Sequence, residues 1–222
     1  TKDGSGTLTL SGANTYTGAT TISAGVLRAT NATSLGTVAG GVSVTDGAAL
    51  ELSGGITIGA EALTLNGTGI TSGGALRNVS GDNTYQGAIT LASATRINSD
   101  SGTLTLDVAS GNGISGTFNV TFGGSGNVTV ADPIATSTGT LTKDGSGTLT
   151  LSGANTYTGD TTINAGILVA GTDAPSGSAG ALGSSVNAVL LGDITGGSNA
   201  ALVTNGAFTI ARDITVQSGS TG

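Results

Sequence analysis

The chain is 222 residues long, with 41 glycines and 39 threonines, and only six Lys+Arg against 13 Asp+Glu give it a net charge of -7; His, Cys, Met and Trp are absent. Without imidazole or thiol there is no histidine base, no thiolate nucleophile, no Cys/His zinc site and no disulfide framework. The scattered cations argue against a nucleic-acid partner, and no apolar run exceeds four residues, whereas a spanning helix needs about 20.

Taken in chain order, strict alternation of apolar and polar residues marks 7–10 (TLTL), 41–44 (GVSV), 56–58 (ITI), 63–65 (LTL), 104–106 (LTL), 127–130 (NVTV) and 149–151 (LTL). Period two predicts short strands with one buried face. Glycine, asparagine or Asp-Gly interrupts these runs every 7 to 12 residues or so, the punctuation of strands joined by turns. No stretch keeps a helical period free of glycine for three turns.

Internal repetition decides the architecture. Residues 1–29 return at 142–170 with 25 of 29 positions identical, an offset of 141. A worn copy begins near 79, where 79–91 matches 10–22 at an offset of 69. A unit of about 70 residues reads as three solenoid coils of about 23 residues, each with about three short strands, so that the chain makes about ten coils. The whole of 1–222 is expected to be one β-helix segment of a longer repeat chain, with repeat copies near 1–29, 79–97 and 142–170.

The recurring residues resemble the passenger-associated β-strand repeats of bacterial autotransporters, close to G-x-G-x-L-x-L-x-G-x-N-x-Y-x-G-x-T-x-I-x-x-G-x-L. The first copy carries the pattern at Gly4, Gly6, Leu8, Leu10, Gly12, Asn14, Tyr16, Gly18, Thr20, Ile22, Gly25 and Leu27. The second carries it at Gly145, Gly147, Leu149, Leu151, Gly153, Asn155, Tyr157, Gly159, Thr161, Ile163, Gly166 and Leu168. The worn copy keeps Asn83, Tyr85 and Gly87 but has Ala94 and Arg96 at the last two pattern positions. The resemblance implies an all-β, right-handed parallel β-helix, exported through the cell envelope and displayed extracellularly, on the surface of a Gram-negative-type bacterium or secreted from it. Its role would be that of a structural stalk or fibre, with adhesion to host or matrix surface molecules as a further expectation. The family's outer-membrane translocator barrel is not visible in this chain.

Alternation places Leu8, Leu10, Leu149, Leu151, Leu104 and Leu106 inward beside Ile22, Leu27, Ile163 and Leu168, with Thr7, Thr9 and Thr105 outward. Corner glycines are expected at positive φ, and the asparagines in left-handed turns bonded to local backbone. The Asn-Thr-Tyr-x-Gly element holds all three tyrosines, which read either as a ladder of sugar-binding platforms or as rings covering a corner with the hydroxyl in water. The repetition of the element with its turn favours the second.

No cofactor or metal is expected. The nearest calcium-loop match, Gly123-Gly124-Ser125-Gly126-Asn127, has asparagine where the loop needs aspartate, and Gly111 to Gly116 satisfies G-x-G-x-x-G before a strand rather than a helix. The five N-x-S/T sequons, from Asn31, Asn66, Asn78, Asn119 and Asn127, follow from composition. One catalytic alternative is a polysaccharide lyase or hydrolase built from Asp100 and Asp107 with Arg96, or from Glu51 and Glu61; without an adjacent Asp-Asp pair, the non-enzymatic reading is preferred. Partners are then further repeats, or copies of the chain stacked end to end, because the first repeat is built like an interior coil and 217–222 contains no amphipathic lid.

Overall fold

A run such as Thr-Leu-Thr-Leu buries two leucines on one side and leaves both strand edges free, so it is stable only with another strand on each edge. The computed structural model, which describes residues 1–219, meets that requirement by winding the chain into a parallel β-solenoid of about nine turns. Every pairing between its named strands is parallel. Three sheets of ten, seven and six strands form its faces. The chain visits them in turn: Ala49–Ser53 lies in the ten-stranded sheet, Thr57–Ile58 in the seven-stranded, Leu63–Leu65 in the six-stranded, and Leu76–Ser80 returns to the ten-stranded one. Among the described residues helix is limited to one 3-10 turn at Ile70–Ser72, and no helix is long and apolar enough to cross a membrane.

The core is the column of inward side chains. In the ten-stranded sheet the register stacks Leu8, Leu27, Leu50, Leu76, Ile97, Phe122, Lys143, Ile163, Leu191 and Val216 above one another. Successive members are 19 to 28 residues apart, so the turns are uneven. The widest step, Ile163 to Leu191, contains the long loop 171–188 and is one reason for about nine turns rather than ten. The worn repeat is also one residue longer at a corner than its sequence match implies: Ile97, not Arg96, takes the inward place of Leu27.

The 69-residue offset is three turns on one face, for Thr20–Ile22 and Ile89–Leu91 both lie in the six-stranded sheet, three strands apart. The 141-residue offset is not a whole number of turns. Thr7–Leu10 belongs to the ten-stranded sheet, whereas its twin Thr148–Leu151 belongs to the seven-stranded one, and Thr20–Ile22 and Thr161–Ile163 differ likewise. The two near-identical copies therefore occupy different faces. Each can do so because it closes on itself: Lys2 pairs with Ile22 and Leu8 with Leu27, in the same register in which Lys143 pairs with Ile163 and Leu149 with Leu168.

Candidate functional site

In the second copy Leu149, Leu151, Asn155, Tyr157 and Ile163 are fully buried, as are Ile22 in the first copy and Asn83 and Tyr85 in the worn one. Leu8 and Leu10 point to the same side as Leu27 and Ala29, but no strand lies above them, so Leu8 is 41% exposed and Leu10 only partly buried. The two thus take the expected inward side, and their exposure is that of the first coil of residues 1–219. Tyr16 is exposed there for the same reason.

The asparagines do not occupy left-handed turns; the described non-glycine residues at positive φ are Thr71, Ser72 and Ser137. Instead the amides point inward and bond across turns. Asn83 Oδ1 accepts the Ile56 N–H at 2.7 Å and Asn155 Oδ1 accepts the Ile134 N–H at 2.8 Å, from the preceding coil in each case. Asn14 and Asn155 donate to the following coil, at the Ser34 and Ala181 carbonyls. Each is a staple between coils at a corner where the strand ladder lapses.

The tyrosine reading is also corrected in two of three copies: the Tyr85 and Tyr157 rings fill the core with their hydroxyls buried, not in water. The Tyr157 hydroxyl shares a hydrogen bond of 2.9 Å with Thr161 Oγ1, and the Tyr16 hydroxyl one of 3.0 Å with Thr20 Oγ1. In the worn copy this threonine is Ile89, and the Tyr85 hydroxyl has no partner. Tyr157→Phe is therefore expected to cost about 1 kcal/mol, whereas Tyr85→Phe removes an unsatisfied buried group and should be neutral or stabilising by about 1 kcal/mol. Urea midpoints of the two variants check this.

The pattern glycines serve two purposes. Gly4, Gly25, Gly145 and Gly166 have positive φ at corners; Gly18, Gly87 and Gly159 do not. Gly87 and Gly159 are small because the preceding coil passes against them, and a Cβ at Gly87 would stand 1.7 Å from the Glu61 carbonyl oxygen.

The lysine of each Thr-Lys-Asp-Gly start was not singled out in the sequence, yet it is a fixed part of the geometry. Lys143 holds an inward position, and its Nζ donates to the carbonyls of Asp144, Gly145 and Ala165 at 2.6, 2.7 and 3.1 Å; Lys2 repeats this with Asp3, Gly4 and Ala24. Gly166 closes the Lys143 nest, since a Cβ there would meet Nζ at 2.8 Å. Burial pushes the Lys143 ammonium down to about 8 from its ordinary 10.5. Between those values the unfolded chain holds more protons than the folded one, so this group makes stability rise with pH from about 8. Burial instead raises the Tyr85 and Tyr157 hydroxyls, so their contribution is present below the ordinary 10 and is lost above it. Denaturation series between pH 8 and 10 should show a rise that Lys143→Met lacks.

Residues 1–29 and 141–170 match the family model of the passenger-associated-transport repeat. These stretches are passenger-associated-transport repeats. Carried on a parallel β-solenoid, they fit an autotransporter passenger domain with β repeats, and such repeats imply a secreted or surface-exposed protein. No curated protein and no solved structure matches the chain.

Between the two passenger repeats, the structure separates the carboxylates grouped as catalytic candidates. Every charged residue within a strand lies in the ten-stranded sheet. Along its outer face Glu51 takes Arg28 at 2.7 Å and Arg77 at 3.3 Å, and Arg77 takes Asp100 at 2.6 Å. The Asp100 hydrogen bond holds the Arg77 guanidinium above its ordinary pKa. Asn98 links Asp100 to Arg96, whose guanidinium grips both oxygens of Asp144 at 2.6 and 2.7 Å. Gly123 leaves the space for that grip, because a Cβ there would lie 1.9 Å from Arg96 Nη2. Arg96 is thus paired with Asp144 rather than with Asp100 and Asp107, and Asp107 lies exposed beyond the strand Thr103–Leu106. Glu61 is buried, and desolvation raises its carboxyl above the ordinary value while the Gly41 backbone N–H draws it back. Three sequon asparagines are likewise engaged between coils: Asn66 donates to the Val44 carbonyl, and Asn119 and Asn127 accept the N–H groups of Thr140 and Thr148.

Proposed function

We propose that the chain is a rigid spacer or fibre segment of an autotransporter passenger, working outside the cell by its length and shape rather than by catalysis. The observation carrying this reading is the fate of the candidate groups: Glu51 and Asp100 are neutralised by arginines in one ladder along the ten-stranded sheet, Arg96 is taken by Asp144, and among the described residues neither Asp107 nor Glu61 forms an ion pair with an arginine. A hydrolase or lyase of this architecture needs carboxylates free to take or give a proton to a sugar. With about 4.8 Å per turn, nine turns make a rod about 43 Å tall, and its buried side chains form one continuous cluster. Labelling of intact producing cells with antibodies against the exposed 194–199 loop tests the reading, together with incubation of the pure protein with plant and bacterial polysaccharides. Surface label lost on protease shaving and no released oligosaccharide are expected; label only after permeabilisation, or depolymerisation that Asp107→Asn or Asp100→Asn abolishes, would overturn it.

A further inference from the structure

The outer faces of the sheets are chemically unlike. Every charge carried on a strand lies on the ten-stranded sheet, so the strands of the seven-stranded sheet present an uncharged face. The register stacks Thr57, Thr84, Thr105, Thr129, Thr150 and Val169 in one outward column on that face. Two residues earlier on the same strands runs a second column, Thr103, Asn127, Thr148 and Ile167, in which Asn127 Oδ1 accepts the Thr148 N–H at 3.1 Å. Asp82 and Asp107 stand only at its margins, and Asp82 is turned onto the Thr103 N–H.

These columns lie on interior coils and form a regular array. Among the described strand pairs the one register shift falls in the ten-stranded sheet, between Leu52 and Ser53. Among the described residues no hydrogen bond engages the hydroxyl of Thr57, Thr84, Thr105, Thr129 or Thr150, nor that of Thr103 or Thr148. Corner threonines differ, for the hydroxyls of Thr95, Thr158 and Thr161 donate to backbone carbonyls. Coils repeat at about 4.8 Å and alternate residues along a strand at about 6.6 Å, so hydroxyls and methyls stand on a nearly rectangular grid.

We propose that this face of the seven-stranded sheet is an ice-binding surface, its ligand being crystalline water. Oxygen atoms on a prism face of hexagonal ice repeat at two intervals close to those of the grid. Each threonine hydroxyl donates and accepts as a lattice water does, while its methyl restricts the orientations of the water beside it. Branching at Cβ fixes χ1, so the grid is ordered before ice arrives and little rotamer entropy is lost on contact. Val169 and Ile167 keep the branched shape at one margin. A sugar-binding face would offer aromatic platforms, yet Tyr85 and Tyr157 are turned into the core. A protein partner would call for aromatic or arginine anchors, which these columns lack.

Ice grown slowly through a solution of the labelled chain tests the proposal, with the shape of single crystals and their freezing lag read in parallel. The unaltered chain is expected to enter the ice and facet the crystals. Thr129→Lys should lower the incorporated amount about tenfold, with an unchanged circular dichroism spectrum and urea midpoint. Thr129→Val, which keeps the branched shape, should retain most of it. Thr90→Lys should have no effect, because Thr64, Thr90 and Ser115 form a single file on the six-stranded sheet, with Ala62, Ala88 and Gly113 where a second column would stand. Exclusion of the unaltered chain from ice, or equal losses in the two lysine variants, would overturn the proposal. So would retention on cellulose or chitin, or mass rising with concentration, that Thr129→Lys abolishes in a chain that does not enter ice.

Discussion

Leu151→Asp is expected to unfold the centre of the solenoid, at a cost of more than about 4 kcal/mol, while Thr150→Asp one residue away should cost about 0.5 kcal/mol or less. Leu151 is sealed between Val130 of the coil before and Ala170 of the coil after, both apolar. Thr150 projects outward from the same strand, between Thr129 and Val169. A denaturant titration followed by circular dichroism reads both variants, and equal midpoints would contradict the assignment of inner and outer sides.

The second large effect sets two glycines of the same motif position against each other. Gly87→Ala should destabilise by several kcal/mol, because the new methyl would overlap the backbone of the Glu61 corner, which belongs to the solenoid frame and cannot withdraw like a side chain. In the 222-residue chain taken by itself, Gly18→Ala should be nearly silent: its φ is not positive and a Cβ there meets nothing within 4 Å. Thermal unfolding of dilute samples distinguishes them, and similar losses at both positions would mean that the glycine is retained for its backbone conformation.

These contrasts mark what local sequence can and cannot reveal. Alternation in Thr7-Leu8-Thr9-Leu10 and the 69-residue echo were enough to anticipate strands, coils and three faces, because side-chain period and repeat length follow directly from strand geometry. The difference between Leu8 and Leu149 was illegible, for the two sit in identical decapeptides and burial depends on what the chain does one turn earlier. The burial of asparagine and tyrosine is illegible for a related reason: both types suit surface turns, the Ile134 N–H that holds Asn155 comes from the coil before, and the Thr161 hydroxyl that pairs with Tyr157, although only four residues on, would serve an exposed ring as well as a buried one. The arginine ladder was hidden by uneven turns, since Arg28, Glu51 and Arg77 are 23 and 26 residues apart and share no fixed period. Lys143 carries no signature in the sequence because its nest consists entirely of carbonyl oxygens, which leave no mark in side-chain spacing.

Because each passenger repeat completes its own coil, its position in the chain does not dictate which way it points. The twin copies sit on different faces of a three-sided shaft, so equivalent corners leave it roughly a third of a revolution apart, in the manner of leaves placed around a stem. A genetic duplication that copied such a cassette can change its azimuth and still be joined into the ladders around it, as the second copy is. Lengthening the shaft and redistributing what it shows to its surroundings would then be one and the same event.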